Sequence, residues 1–346
     1  MSRDKLIIFG AVLLGLLGVL VYKQAKRDES LGHPAEVSSD VPSLAVSSDI
    51  DKISVTNGDK PQVVLEQVPD PKASTATDAG PATMWVLTKP ISAEANQSSI
   101  KDLVANIADL KVGSRVNLRL DDDTRKEKQL DSSHAVHVTA WKGGAKKFDA
   151  LFGKSGAAGE LMVLADKPND VLAVKGYSSY LYTKDVKDFR NKEILHFDDG
   201  SVFQVLVTNS HGSFTFNKSG DGKWVGTLGT KAIERFDGEK VKDMLRAFKT
   251  LTAEDFGDGK TPADTGLDKP DAEVTFRLTG GSTLHLDVGR VATGTNKWAR
   301  PPDGANIYQI TSYAADWLTS DTLKYQTPAD AGAGDSGTKP PPAKKK

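Results

Sequence analysis

The chain has 346 residues, a length that allows two domains, each large enough to bury its own core. Its 45 Lys and Arg nearly balance its 46 Asp and Glu, so the basic excess typical of nucleic-acid-binding proteins is missing. The absence of cysteine excludes disulfides, thiol nucleophiles, iron–sulfur clusters and cysteine-based zinc sites.

An uncharged apolar segment, Leu6–Tyr22, follows the short N-terminal segment 1–5. Its seventeen residues lie at the short end of the range of about 17–25 that spans a bilayer as a helix. A cleaved signal peptide is the alternative, but the run ends at Val21–Arg27 without a small-x-small cleavage site. We therefore expect an uncleaved, single-pass transmembrane anchor over 6–22. The flanking Lys and Arg residues leave its orientation open.

Polar segments flank the body of the protein. Residues 23–48 are rich in Ser, Asp, Glu and Pro without periodicity, which is typical of a flexible linker. The C-terminal segment 327–346 has the composition of a disordered tail. Within the body, residues 67–83 are rich in Pro, Ala, Thr and Asp, and they predict a long surface loop.

The body contains one pattern twice. Ile53–Asn57 matches Val205–Asn209, and Met84–Val86 matches Lys223–Val225. A further series of matches keeps a constant separation of 136 residues: Val138 with Val274, Phe152 with Val288, Val174 with Ile310, and Tyr177 with Tyr313. An ordered series at constant spacing indicates two domain-sized copies, of which the first is more diverged.

In each copy, strand patterns come before and after one helical pattern. The helical stripes are Ile100, Leu103, Val104, Ile107 and Leu110 in the first copy, and Val241, Met244, Leu245, Phe248 and Leu251 in the second. This order, with short connections, predicts the α+β class: two tandem units, 49–197 and 198–326, each with antiparallel sheets and a packed helix.

Several fragments resemble catalytic motifs but lack the context that each motif needs. Asp255–Gly257 spells the kinase metal-binding triplet without a kinase's glycine-rich and HRD loops, and it predicts a helix exit followed by a turn. Gly259–Thr261 lacks the first glycine and the preceding strand of a phosphate-binding loop. Asp121–Asp123 has no EF-hand pattern and is typical of a solvated loop.

The histidines form no recognisable site in the sequence. His134 and His137 have metal-like spacing, but residues three apart on a strand face opposite sides, and no third ligand is evident. The remaining histidines also have no partner in sequence: His33, His196, His211 and His285. We therefore expect a non-enzymatic protein without catalytic, cofactor-binding or metal-binding residues. The alternative is a hydrolase whose catalytic residues converge from distant positions.

The segment Ala263–Thr275 resembles the recurring Gly-Leu-Asp-x-Pro signature of the bacterial domain-of-unknown-function 4340 family (DUF4340). The surrounding order is also similar to that family: Lys223-Trp224, Gly280-Gly281, Asp287-Val288-Gly289, Lys297–Arg300 and Ile307–Ile310. The resemblance is good over 200–326. It is weaker over 49–197, where Leu130–Ser133 lacks the glycine and the proline.

The signature has a physical interpretation that concerns folding. Gly266 permits a positive φ where the chain leaves a loop, and Pro270 fixes an extended approach to the next strand. We expect Leu267 to enter the core beneath the turn. These roles indicate no chemistry.

The resemblance to DUF4340 implies an inner-membrane protein with its body in the periplasm. Genes of this family often lie beside those of gliding-motility-type ABC transport systems, which implies an auxiliary or scaffold role with membrane or periplasmic partner proteins. The alternative is an extracytoplasmic module that binds cell-wall glycan or another envelope ligand. Its stacking residues would be exposed aromatics: Tyr177, Tyr180, Tyr182, Trp298 and Tyr308.

Overall fold

The structure, a computed structural model, describes residues 43–44, 46–71, 82–156 and 158–328. The predicted anchor, most of the predicted linker and nearly all of the predicted tail lie outside this part of the protein. No helix within the described residues is long and apolar enough to cross a membrane. The fold divides into two compact units between Asn191 and Lys192, six residues before the boundary predicted at 197.

The first unit contains nine strands and two helices among its described residues. The strands are β1 (Lys52–Asn57), β2 (Val63–Pro69), β3 (Thr83–Lys89), β4 (Ala93–Glu94), β5 (Lys111–Val116), β6 (Val136–Lys142), β7 (Ala145–Gly156), β8 (Gly159–Leu164) and β9 (Val171–Lys175). The helices are α1 (Gln97–Ala108) and α2 (Asp122–Glu127). Two 3₁₀ turns follow β9, at Ser179–Leu181 and Val186–Asp188.

The second unit contains eleven strands and three helices among its described residues. The strands are β10 (Glu193–His196), β11 (Val202–Asn209), β12 (Gly212–Lys218), β13 (Trp224–Leu228), β14 (Lys231–Ala232), β15 (Thr250–Thr252), β16 (Asp255–Phe256), β17 (Ala272–Leu278), β18 (Thr283–Val291), β19 (Lys297–Arg300) and β20 (Tyr308–Ile310). The helices are α3 (Gly238–Phe248), α4 (Pro262–Thr265) and α5 (Ser312–Thr319). The 3₁₀ turns are Asp199–Ser201 and Thr322–Tyr325.

Each unit is built on one nine-stranded antiparallel sheet, and the two sheets have the same strand order. The first is β4-β3-β2-β1-β6-β7-β8-β9-β5, and the second is β14-β13-β12-β11-β17-β18-β19-β20-β16. In both units the main helix follows the two-residue strand at the sheet edge, as α1 follows β4 and α3 follows β14. The α+β class with mainly antiparallel sheets is therefore confirmed, and the shared order agrees with two tandem units.

The strand registers follow the spacing found in the sequence. Asn57 of β1 pairs with Val136 of β6, and Asn209 of β11 pairs with Ala272 of β17. Val136 in turn pairs with Phe152, just as Ala272 pairs with Val288. The two partners in the second unit lie 136 residues after those in the first, so the repeat holds at the level of individual residues.

The main helices bury most of the predicted stripes against the sheets, but Leu110 and Leu251, predicted as their last members, lie beyond the helices, and Leu251 belongs to β15. Helix α1 begins after Asn96, whose side chain accepts a hydrogen bond from the Ser99 backbone N–H at 3.0 Å. Helix α3 begins after Asp237, which caps the Glu239 backbone N–H at 3.0 Å. Each helix places four buried apolar side chains in its unit's core: Ile100, Leu103, Val104 and Ile107, and Val241, Met244, Leu245 and Phe248. Burial of each such residue contributes about 1.5–3 kcal/mol.

A buried leucine packs on a strand glycine at the same place in both units. A Cβ on Gly153 would lie 2.8 Å from Leu130, and a Cβ on Gly289 would lie 3.2 Å from Leu267. Both leucines are buried, as predicted for Leu267. The missing Cβ is therefore what lets each leucine enter the core beneath its turn.

The residue before each leucine has a left-handed backbone. Gly266 has φ 73°, which confirms its predicted role, and Gln129 at the equivalent position has φ 54°. Only glycine adopts this region without a steric cost. The first unit thus keeps the turn of the Gly-Leu-Asp-x-Pro signature without its glycine.

The predicted loop over 67–83 is wrong at both ends. Strand β2 continues to Pro69 and β3 begins at Thr83, and Gln67 pairs with Trp85. The β2–β3 ladder extends into residues whose polar composition is typical of a loop, because pairing with the opposite strand supplies their backbone hydrogen bonds. Most of the remaining stretch lies outside the described residues.

The prediction of a helix exit and turn at Asp255–Gly257 is also wrong. Helix α3 ends at Phe248, and Asp255 and Phe256 form strand β16, which pairs with β20. Phe256 is buried, and a Cβ on Gly257 would lie 2.8 Å from Ile307. Side-chain burial and pairing with β20 therefore make Asp255–Phe256 a strand.

The predicted linker and tail each meet the folded body. Leu44 and Val46, predicted as linker, pack against the core of the first unit. The backbone N–H of Thr327, predicted as tail, donates a hydrogen bond to the carbonyl of Arg235 at 2.9 Å. Each unit therefore includes a few residues beyond the boundaries read from composition.

Candidate functional site

The first unit has a cleft where β1 and β2 meet at one end of the sheet. The segment after β9 forms its wall, and this segment contains two 3₁₀ turns instead of a regular helix. Asn57, the last residue of β1, donates from Nδ2 to the Thr183 carbonyl at 3.5 Å. This contact joins the wall to the β1–β2 hairpin.

The floor of the cleft is apolar. It consists of four buried side chains: Val55, Val63, Tyr182 and Phe189. The cleft has a volume of about 160 Å³. A dry apolar cavity of about 150 Å³ holds a molecule the size of benzene, whereas sites for small-molecule ligands commonly measure about 300–1,000 Å³. The cleft therefore has room for one aromatic or branched aliphatic side chain.

The rim of the cleft is charged. Lys60 lies with Nζ 2.8 Å from Oδ1 of Asp185, and this contact holds the pKa of Asp185 below its usual range. Lys184 donates instead to the Ser99 hydroxyl of α1 at 2.9 Å. The charged groups that line the cleft are these two lysines and Asp185, so the lining carries a net positive charge.

The equivalent place in the second unit is filled. Val63 pairs with Val55, and Phe214 holds the equivalent position opposite Val207. The Phe214 ring lies 5.7 Å from the Tyr325 ring, centroid to centroid, and both side chains are buried. A phenylalanine therefore occupies the space that the first unit leaves open above a valine.

The wall of the second unit is also more regular. Helix α5 replaces the first 3₁₀ turn, and Asn209 donates to the carbonyls of Leu318 and Ser320 at 2.7 and 3.0 Å. Asn57, its equivalent, makes the single longer contact described above. The two units differ in packing at this end of the sheet, although their strand order is the same.

A polar cluster surrounds Asp149 on β7. Lys146 donates to its Oδ2 at 2.6 Å, Nε2 of His137 lies 2.7 Å from its Oδ1, and Thr139 donates to Oδ1 at 3.2 Å. Burial alone would raise the pKa of Asp149, but the hydrogen bonds from Lys146 and His137 outweigh it and lower the pKa. In a catalytic triad the two nitrogens of histidine contact different partners. Here the same nitrogen of His137, Nε2, faces both Asp149 and, at 3.4 Å, Thr139, so these three side chains do not have the geometry of a triad.

His134 does not join this cluster. Its Nδ1 lies 2.9 Å from Asp131, so each histidine of the metal-spaced pair has its own carboxylate. No group of three or more metal-binding side chains occurs within the described residues.

The histidines of the second unit each contact a near neighbour. His285 lies 2.9 Å from the Thr275 hydroxyl, and Nδ1 of His196 lies 3.6 Å from Glu193. The His211 backbone N–H donates to Asn209, and its side chain is exposed in the β11–β12 turn. None of the described histidines lines the cleft of the first unit.

Two carboxylates lie opposite each other near His285. Asp287 of β18 pairs with Glu273 of β17, and burial together with the Glu273 charge raises the pKa of Asp287. Arg300 pairs with Asp287 on the other side, and its charge acts in the opposite direction. Sequence reasoning missed this group because its members come together only through strand pairing.

The aromatics proposed for glycan stacking are divided between the two units and differ in exposure. The Tyr177 ring is stacked between Phe152 and Tyr182, at centroid distances of 4.2 and 4.8 Å, and Tyr182 is fully buried. Trp298 and Tyr308 lie half-buried in the second unit, and Tyr180 is 66 % exposed. Tyr177 and Tyr182 therefore serve core packing in the first unit.

Comparison with known families decides the membership of this protein. A family described as a domain of unknown function (DUF4340) matches residues 85–270, which is more than half of the 346 residues. The chain belongs to the DUF4340 family. The DUF4340 match begins in β3 and ends at Pro270, so it crosses the division between the units and includes the Gly-Leu-Asp-x-Pro motif. Neither the curated proteins nor the solved structures contain a match to this sequence.

The extent of the DUF4340 match differs from the extent of the resemblance. The sequence resemblance is good over 200–326, whereas the match covers much of the first unit and ends before β17. It includes the wall of the cleft but not strands β1 and β2, which supply part of the floor. Membership of the DUF4340 family therefore indicates no ligand or activity for the cleft.

Proposed function

We propose that this protein is a non-enzymatic scaffold that binds partner proteins, and that the cleft of the first unit accepts one apolar side chain from such a partner. One observation carries the proposal: of two units with equivalent strand registers, the first leaves a cleft above Val63 where the second packs Phe214. Binding hot spots in protein interfaces are commonly single side chains in well-packed pockets.

The setting of the scaffold is part of the same proposal. Residues 6–22 would anchor it in the inner membrane, and the residues between this anchor and Leu44, which packs on the body, would tether a periplasmic body at about 22–27 Å root-mean-square distance. The partners would be membrane or periplasmic proteins of an ABC-type transport or gliding-motility-like envelope system. An extracytoplasmic glycan-binding module is the competing function.

Site-specific photo-crosslinking in intact cells tests the binding function. A photoreactive phenylalanine analogue replaces Val186 at the cleft, and a control carries it at Thr322, the equivalent position in the second unit. We expect position 186 to crosslink to an envelope protein, and Val63→Phe in the same protein to abolish that crosslink because it fills the cleft.

Two results would overturn the proposal. Equal crosslinking from positions 186 and 322, or a crosslink that survives Val63→Phe, would show that the cleft binds no partner. Crosslinking to glycan instead of protein would favour the competing function. Protease digestion of the body in intact spheroplasts tests the periplasmic location, and protection until lysis would place the body in the cytoplasm.

A further inference from the structure

The polar groups of the cleft keep hydrogen-bonding capacity that the described residues do not use. The Nδ2 of Asn57 donates to Thr183, but its Oδ1 accepts no hydrogen bond from the described part of the protein. Lys184 donates to the Ser99 hydroxyl and forms no ion pair within the described residues. An ammonium group has three donors and one full positive charge. One acceptor and one charge thus border the apolar floor.

The other rim charges do not neutralise Lys184. Asp185 lies 2.8 Å from Lys60 and is paired there. Asp59 belongs to the same β1–β2 turn but does not line the cleft. The cleft therefore combines apolar room for one side chain with an unmatched positive charge at its edge.

We propose that the cleft recognises a segment of a partner protein in which an apolar side chain lies beside a carboxylate. This proposal rests on the binding function proposed above and names the chemistry of the ligand. The apolar side chain enters over Val55 and Val63, the carboxylate meets the ammonium group of Lys184, and a backbone N–H of the ligand donates to Asn57. A polypeptide carboxyl terminus with an apolar last residue, or an apolar residue next to Asp or Glu, has this chemistry.

Charge and size argue against other ligands. A basic segment would be repelled by the lining, which holds two lysines and one aspartate. A purely apolar segment would cover Lys184 without pairing it, and burying an unpaired ammonium group is costly. The volume of about 160 Å³ is too small for a nucleotide or a sugar oligomer.

The absence of cysteine makes a direct test possible in the full-length protein. Val55→Cys places a single thiol on the cleft floor, and Val207→Cys places a matched thiol at the equivalent position beneath Phe214. The rate of thiol modification by methyl methanethiosulfonate reports access to each site. Two probes differ only in charge: N-acetyl-L-phenylalanine, which carries a carboxylate, and its uncharged carboxamide.

We expect the thiol at position 55 to be modified at least about tenfold faster than the thiol at 207, since Val55 borders the cleft whereas Val207 lies opposite the buried Phe214. The carboxylate probe should protect position 55 at a concentration about threefold to fivefold lower than the carboxamide. This preference should shrink at high salt because added ions screen the pair. Lys184→Gln keeps a donor for the Ser99 hydroxyl and should remove the preference for the carboxylate over the carboxamide.

The outcomes separate the two proposals. Equal protection by carboxylate and carboxamide, or a preference that persists in Lys184→Gln, would overturn the ligand chemistry and leave the apolar binding function standing. Equal modification rates at positions 55 and 207, or no protection by either probe, would overturn the cleft as a binding site altogether.

Discussion

Replacing Val63 by phenylalanine should close the cleft and stabilise the first unit. The larger side chain adds four carbon atoms, and burial contributes about 0.8 kcal/mol for each, or at most about 3 kcal/mol. Fitting a ring into a packed wall costs about 1–3 kcal/mol, and the volume of about 160 Å³ places this cost near its lower end. We expect a net gain of about 1 kcal/mol in the free energy of unfolding.

The reverse change in the second unit provides the control. Phe214→Val removes ring contacts with Phe216 and Tyr325 from a filled core. We expect this change to lower the free energy of unfolding by about 2–4 kcal/mol, as for other large-to-small core substitutions. The same valine–phenylalanine exchange thus has opposite signs in the two units because only one of them has a cleft.

Hydrogen exchange measured by mass spectrometry resolves the units separately. Peptides from β1 and β2 should exchange about fivefold more slowly in Val63→Phe. If these peptides exchange faster instead, the ring does not fit, and the space above Val63 is no cavity of the size described. That result would refute both the stability argument and the comparison with Phe214.

Three smaller predictions test other parts of the argument. Gln129→Gly should raise the free energy of unfolding by about 0.5–1 kcal/mol by relieving its left-handed backbone, whereas Gly266→Ala should lower it by about 1–2 kcal/mol; equal urea midpoints would contradict this. Asn209→Ala should cost about 1–2 kcal/mol and Asn57→Ala clearly less, since Asn209 makes two short hydrogen bonds; equal losses in urea denaturation would contradict this. Asp149→Asn should be less stable than wild type at neutral pH. Because the folded pKa of Asp149 is lowered, its contribution is present above the unfolded pKa and is lost as pH falls, so the two urea midpoints should converge as the pH falls below about 4, and a constant gap would be the contrary result.

Much of the fold could be predicted because the repeat lies in the sequence itself. Val138 and Val274 are separated by the same number of residues as Phe152 and Val288, because equivalent strands pair in the same register in both units. A slip of one residue in that register would move every side chain of a strand to the other face of the sheet. The positive φ of Gly266 could be predicted for a similar reason, since few residues other than glycine adopt it readily. Local rules of this kind act on individual residues and need no knowledge of distant contacts.

The strand at Asp255–Phe256 and the ends of β2 and β3 could not be predicted in this way. A two-residue strand has no periodicity to detect, and it exists only because β20 offers an edge to pair with. The β2–β3 hairpin extends into a segment whose composition resembles a loop, because the ladder of Gln67 with Trp85 satisfies the backbone there.

The cleft was not predicted, although the sequence contains the two differences between the copies that produce it. Aligning the two copies places Val63 opposite Phe214, and it places the irregular segment after β9 opposite the regular helix α5. Each difference alone is an ordinary substitution or a change in helix type. Only their coincidence at one end of the sheet opens a cavity, and that coincidence depends on three-dimensional packing.

The asymmetry between the units supports a division of roles. A repeat supplies the same frame twice, so one copy can keep a filled core while the other leaves apolar surface uncovered. A valine at position 63 buries less apolar surface than a phenylalanine would. The difference corresponds to at most about 3 kcal/mol of stabilisation, which is a large part of the net stability of a domain. A ligand that fills the cleft would recover part of this burial on binding, and the unmatched charge of Lys184 would select which ligand does so. Under the proposed function, the second unit, whose core is filled by Phe214 and Tyr325, would have a structural role while the first unit binds.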